Sequence, residues 1–251
     1  MYEVNGTALV TGGSRGIGRA SALRLARAGA DVAITYLENE AAANETAEEI
    51  RSLGRRALVL RADALDVDEN VAAVRATVED LGTLRTLVCN AANGTFGMID
   101  ELSVEQWDAT MAMHARALFV LAKEAAGTIQ SAGGGSIVAI SSLGADRVFG
   151  AYAAFGVSKA AIEQLVRYLA VEYGPVGIRA NCVSGGIVLT DLFKAIPGWE
   201  DIAAAGAERS PLGTVLDPEN IADAVTFFAS DGASRITGQT LTVDAGYLLP
   251  G

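Results

Sequence analysis

Short, almost uninterrupted apolar runs alternate with longer segments of helical period along the whole chain, and this alternation most constrains the fold. The apolar runs are TALVT (7–11), DVAITY (31–36), ALVLRA (57–62), TLVCN (86–90), SIVAISS (136–142), GIRANCVSG (177–185) and TLTVDA (240–245). Between them lie helical patterns. Gly16 to Ala28 is stopped by Gly29, Ala41 to Leu53 by Gly54, and Asp68 to Leu81 follows. Ser103, with Glu105 and Gln106 in the first turn, opens a long helix reaching about Gln130. Tyr152 to Tyr173 is helical and ended by Gly174-Pro175, and Pro218 after Asp217 starts another helix. Strands that are apolar on both faces and joined by helices pack as a parallel sheet covered on both sides. The expected fold is therefore α/β, a doubly wound sheet of about seven strands in one domain spanning 1–251, with no linker or repeat. Ligands of such sheets bind at the carboxyl ends of the strands.

Composition closes off several function classes. Fifty-one per cent of the 251 residues are hydrophobic, enough for a large core and too many for a disordered chain. Thirty acidic against nineteen basic residues leave a net charge of -11 with no basic run, which argues against a nucleic-acid partner. Cys89 and Cys182 sit in apolar runs and read as inert buried thiols in a reducing compartment. A single histidine excludes a His-rich metal site, and no metal is expected. The N-terminus lacks a basic and an apolar signal region, and the uncharged stretch from Ala125 to Ala145 is broken by Gly133-Gly134-Gly135. A cytoplasmic protein without membrane attachment is expected.

The first strand runs into Thr11-Gly12-Gly13-Ser14-Arg15-Gly16-Ile17-Gly18. Gly12, Gly16 and Gly18 let the backbone turn sharply and approach an anion, and the following helix offers it free N–H groups and a positive dipole end. Strand, glycine turn and helix in that order suit a dinucleotide pyrophosphate in a Rossmann-type fold. A tight turn without ligand is the alternative.

The G-x-x-x-G-x-G spacing resembles the short-chain dehydrogenase/reductase family, marked by T-G-x-x-x-G-x-G. Further marks appear in order over the whole chain: Asp63 after the third strand, Asn90-Ala91-Ala92 after the fourth with Ala92 in place of a glycine, Thr190 after Gly185-Gly186-Ile187, and Gly238 to Gly246 at the last strand. The resemblance implies cofactor contacts from Gly12, Ser14, Arg15, Gly16, Ile17, Gly18, Asp63, Asn90, Ala91, Ala92, Lys159, Ile187 and Thr190. It also implies a homotetramer.

The family's usual proton donor is the tyrosine of Tyr-x-x-x-Lys. Four residues before Lys159 stands Phe155, which has no acidic proton. Seven before it stands Tyr152. Seven helical residues turn through about 700°, roughly 20° short of two turns, and rise ~10 Å, so Tyr152, Phe155 and Lys159 are expected on one helix face. A donor displaced along the helix suits conjugate reduction, where charge develops on a thioester oxygen away from the carbon that accepts hydride. Tyr-x6-Lys is similar to the enoyl-acyl carrier protein reductases, and the runs from Ile137 to Gly144, Phe155 to Pro175 and Val183 to Gly186 resemble their third, NADPH-dependent branch. The resemblance implies that Tyr152 serves the enolate oxygen and that Lys159 holds the nicotinamide ribose and lowers the effective pKa of the tyrosine. Ser142, at the family's serine position, either assists or closes the strand end. His114, where many members carry an asparagine, is either a proton-relay group or a satisfied histidine in a helix interface.

The segment from about 189 to 209, with Leu192, Phe193, Ile196 and Trp199, occupies the place of a substrate lid; ordinary helical packing is the alternative. The second strand ends Thr35-Tyr36-Leu37 without the acid that selects NAD, and Arg15 stands where a base meets a 2′-phosphate. Both favour NADP, while Glu38 and Glu40 favour NAD. The expected activity is NADPH-dependent reduction of a trans-2-enoyl thioester presented by acyl carrier protein or coenzyme A, in fatty acid or related biosynthesis. The alternatives are a carbonyl or β-ketoacyl-thioester reductase, a tailoring reductase of secondary metabolism, and a nicotinamide-binding sensor without turnover.

Overall fold

The computed structural model describes residues 2–194 and 198–249. Its strands are β1 (Thr7–Val10), β2 (Asp31–Tyr36), β3 (Ala57–Arg61), β4 (Leu84–Cys89), β5 (Gly135–Ser142), β6 (Ile178–Gly185) and β7 (Thr240–Val243). They form one sheet in the order β3-β2-β1-β4-β5-β6-β7, and every neighbouring pair is parallel. The chain winds outward from β1 to β3, then returns to place β4 against the other side of β1. That reversal opens a crevice at the carboxyl ends of β1 and β4, the expected place for a ligand.

Alternation along each strand builds two cores. Ala8, Val10, Ile34, Val88, Val138 and Val183 face one side. There they meet Leu25 of α1 (Gly16–Arg27) and Ile221, Val225 and Phe228 of α9 (Pro218–Ala229). Leu9, Leu87, Ile137, Ala139 and Cys182 face the other side. Their partners are Val74 of α3 (Val67–Leu81), Leu118 and Leu121 of α5 (Ala117–Ser131) and Ile162 and Val166 of α6 (Ala153–Tyr173). Helix α2 (Glu40–Ser52) adds Ala43 and Ile50 to the first core. Three helices complete the set, α4 (Val104–Met111), α7 (Asp191–Lys194) and α8 (Trp199–Arg209).

Three sequence expectations are corrected. The long helix from Ser103 is divided. Helix α4 (Val104–Met111) starts with a Ser103–Gln106 capping box, but a π-helical turn at Ala112–Arg116 separates it from α5. The period of AMHAR is that of an ordinary helix, so packing around His114 sets the wider turn. Tyr152 is not inside the helix that carries Lys159: it is the N-cap residue of α6, with φ -113° and ψ 12°. Ala151 before it has φ +56°, a left-handed conformation that no helix start requires of an alanine. Finally, Cys182 is buried as expected, but Cys89 at the end of β4 is only half-buried. No described helix is long and apolar enough to cross a membrane.

Candidate functional site

The glycine turn after β1 is fixed from three sides. Gly12 donates its N–H to Thr35 Oγ1 at 3.0 Å, and Gly13 donates to the Thr35 carbonyl at 2.9 Å, so β2 holds one side. The Thr11 hydroxyl accepts the N–H groups of Asn90 and Ala91, both at 3.0 Å, and Asn90 Nδ2 donates to the carbonyls of Thr11 and Gly12. Thr11 therefore latches the ends of β1 and β4 together. The glycine spacing alone gives Thr11 no role; the role comes from its contacts with the residues after β4. Gly12 has φ +65°, and a Cβ on Gly18 would stand 2.1 Å from the Gly12 carbonyl oxygen, so both glycines are obligatory. Arg15 is the N-cap of α1 and makes no side-chain cap bond, and no acid lies in the first turn. The first N–H groups of α1 at Gly16, Ile17 and Gly18, with the positive dipole end, are thus left for an anion. This cradle fits a dinucleotide pyrophosphate.

The other cofactor candidates follow the carboxyl ends of their strands, on one edge of the parallel sheet. Thr190 lies beside the turn, its Cγ2 3.5 Å from where a Cβ on Gly16 would be. Ser14 is half-buried and Ala92 is exposed. Asp63 follows β3 and accepts a bond from the Leu65 N–H at 2.8 Å. Ile187 packs its Cδ1 onto the backbone of α8 at Gly206.

At the ends of β5 and α6 the structure brings Ser142 and Tyr152 together, their hydroxyl oxygens 3.2 Å apart. The Tyr152 ring lies along Gly144, where a Cβ would come within 2.5 Å of it. Burial raises the Tyr152 phenol above its ordinary pKa, and the Ser142 bond offsets part of that rise. Tyr152 thus keeps its proton at neutral pH, as a donor must. Lys159 is buried one helical turn beyond Phe155 and donates to the Ile140 carbonyl at 3.0 Å. Burial lowers its pKa to about 8.

Phe155, at the family's donor position, is 3% exposed. Its ring stacks on Phe96 at 4.9 Å and on Tyr152 at 5.2 Å, and His114 closes the far side at 5.0 Å. His114 therefore stands behind Phe155, bonded to neither Tyr152 nor Ser142. Its Nδ1 lies 2.7 Å from Ser158 Oγ, and that hydroxyl donates its only proton to the Phe155 carbonyl. Nδ1 must then be the donor, which leaves Nε2 a bare lone pair, buried without a partner among the described residues. Burial first, and the nearby Lys159 charge second, lower the His114 pKa to about 2.

Phe193 and Trp199 meet edge to face at 6.5 Å, Lys194 lies 5.9 Å over the Trp199 ring, and the Phe193 N–H donates to Thr190 Oγ1 at 3.2 Å. Leu192 is exposed on α7. Ile196 falls outside the described residues.

A family model described as Enoyl-(Acyl carrier protein) reductase matches residues 12–248. The chain belongs to the short-chain dehydrogenase/reductase family. It is 38% identical over 244 residues to a 1-cyclohexenylcarbonyl-CoA reductase of Streptomyces collinus, covering 95% of this chain and 85% of that one. It is 36% identical to an L-rhamnose 1-dehydrogenase (NAD(P)(+)) of Sphingomonas, covering 96% and 95%. Among solved structures, a short-chain dehydrogenase of Burkholderia cenocepacia in complex with NADP has a TM-score of 0.90 at 37% identity, covering 96% and 97%. This dehydrogenase/reductase is therefore an oxidoreductase of a family that binds NAD(P), and its relatives act on quite different substrates.

Proposed function

We propose that this dehydrogenase/reductase uses NADPH to reduce the α,β double bond of a trans-2-enoyl thioester. The observation that carries the reading is the exchange at the donor position: Phe155 is sealed beneath Phe96, while the Tyr152 hydroxyl stands free to bond Ser142. The matched enoyl-reductase family model and the CoA-thioester relative point the same way.

The nicotinamide, when bound, would supply the hydride to the β carbon. Thr11, Asn90 and the first turn of α1 would hold the pyrophosphate, with Thr190, Ile187 and the ammonium of Lys159 toward the nicotinamide end. Tyr152 gives its phenolic proton to the thioester enolate, and Ser142 steadies the hydroxyl by its bond. Lys159, while charged, eases loss of that proton. His114 is neutral and acts on the site through the position of Phe155 and Ser158.

NADPH rather than NADH is favoured by Arg15, which is exposed and makes no ion pair among the described residues, whereas Arg19 is tied to Glu49. Glu40, which argued for NAD, sits in the first turn of α2, where a carboxylate complements the helix dipole. The segment 189–209 serves as a lid: α8 has Gly206 as its one buried residue, so little packing opposes its movement. Exposed Phe119 on α5 and Val157, Tyr168 and Val171 on α6 support a homotetramer built on these helices.

Carbonyl or β-ketoacyl-thioester reduction is the second reading, favoured by the same Ser142–Tyr152 bond, since a paired hydroxyl serves a carbonyl oxygen as well. The test is NADPH oxidation at 340 nm with crotonyl-CoA and acetoacetyl-CoA side by side, NADH in parallel. Turnover of crotonyl-CoA alone, lost in Tyr152→Phe, is expected. Turnover of acetoacetyl-CoA alone refutes the enoyl reading.

A further inference from the structure

We propose that Phe96 is a specificity-determining residue: it forms an aromatic wall beside Tyr152 that selects compact, ring-bearing acyl groups over long straight chains. The proposal rests on Tyr152 being the group at the reacting end of the substrate.

Phe96 lies in the loop after β4. Its ring is nearly parallel to Phe155, at 8°, and its centroid is 5.7 Å from that of Tyr152. Phe155, beneath it, is sealed, but Phe96 is 39% exposed. Phe149 meets the Tyr152 ring edge-on at 6.2 Å and 81° and is 36% exposed. Rings therefore flank the ring of Tyr152, with part of their apolar area exposed.

This wall is held rigidly. The Gly97 N–H donates to the Ala151 carbonyl at 2.9 Å, and Gly97 pairs with Tyr152 in a short parallel bridge. Ala151 keeps its left-handed conformation under that bond, so the loop carrying Phe96 also sets the residue entering Tyr152. At the base of the loop, a Cβ on Gly94 would stand 2.8 Å from Phe155 Cε2, so the backbone itself is seated on the buried ring. An aromatic ring has few rotatable bonds to freeze, and a cyclic acyl group has few as well. Each gains face contact at little entropic cost, whereas a long chain must order many torsions against a wall that does not yield.

The test compares wild type, Phe96→Ala and Phe96→Leu with cyclohex-1-enecarbonyl-CoA and trans-2-octenoyl-CoA under NADPH. Wild type is expected to prefer the cyclic ester in kcat/KM. Phe96→Ala should cut that preference by roughly two- to tenfold, mainly through KM for the cyclic ester, as expected for loss of one aromatic contact. Phe96→Leu, which keeps bulk but not the flat face, should fall between, and it carries the comparison if the alanine variant does not fold. A preference for the octenoyl ester, or ratios unchanged within error in a folded variant, overturns the role of Phe96 while leaving enoyl reduction intact. Wild type inert toward both esters, with NADPH still bound, overturns the enoyl reading itself and this substrate class with it.

Discussion

The buried histidine makes a measurable acid liability. His114 is 2% exposed, its Nδ1–H is committed to Ser158, and Nε2 has no acceptor to meet if it gains a proton. The fold therefore keeps the imidazole neutral down to about pH 2, whereas in the unfolded chain it protonates at about 6.5. The folded pKa of this base is depressed, so the unfolded state binds the extra proton. Stability contributed by the neutral form is complete above pH 6.5 and falls as the pH drops below it. Between pH 8 and pH 5 the unfolded state gains 1.5 units of protonation free energy, about 2 kcal/mol at ~1.36 kcal/mol per unit. Urea unfolding of wild type and His114→Asn at both pH values, at one protein concentration, isolates this contribution, because the carboxylates titrate alike in both. Wild type should lose about 2 kcal/mol more than the variant on acidification. Since the chain has a single histidine, its imidazole Cε1 proton is one NMR signal, which should not titrate from pH 8 to 5 in the folded protein. Equal losses in the two proteins, or a folded-state midpoint above pH 5, refute the argument.

Tyr152→Phe should lower kcat by about 10²- to 10⁴-fold while NADPH still quenches protein fluorescence, because only the proton is removed. kcat/KM should fall as the pH rises through about 8, where Lys159 loses its charge, and a plateau extending past pH 10 would show that the charge is dispensable. Gly18→Ala places a methyl 2.1 Å from the Gly12 carbonyl and should abolish NADPH binding in titration calorimetry. Arg15→Gln should raise KM for NADPH roughly tenfold, the worth of a charge-assisted contact, and leave KM for NADH unchanged. Equal effects on both cofactors would remove Arg15 from the 2′-phosphate.

The fold was legible because its physics is local. A strand buried on both faces must be apolar throughout, so β1 to β6 announce themselves as runs, and the capping residues Ser103 and Asp217 mark where helices begin. The glycine turn was legible for the same reason: Gly12 answers to its own left-handed φ of +65°, and Gly18 to the backbone of Gly12 just before it. What escaped was set by distant contacts. Nothing in GAY predicts that Ala151 turns left-handed; the Gly97 N–H, more than fifty residues earlier, holds it there. The π turn around His114 has an ordinary helical pattern and answers to packing against α6. Phe96 lies in a loop without periodicity, so its stack on Phe155 left no trace in the sequence.

The N-cap position of Tyr152 changes what its spacing means. Counting seven residues along a helix puts the tyrosine ~10 Å from Lys159 along the axis, and from that separation the sequence argued for a displaced donor and conjugate reduction. Tyr152 is not in the helix, however, and the ring turns back along Gly144 until its hydroxyl reaches Ser142 at 3.2 Å. The spacing is therefore no ruler for where the proton is delivered. The filled donor position is the firmer argument. With Phe155 buried between Phe96 and His114, no acid group can occupy that place, and the Tyr152 ring beside it is flanked by Phe96 and Phe149. The proposed conjugate reduction then rests on the filled donor position and on the matched enoyl-reductase family model, and the two-substrate comparison with crotonyl-CoA and acetoacetyl-CoA tests it directly.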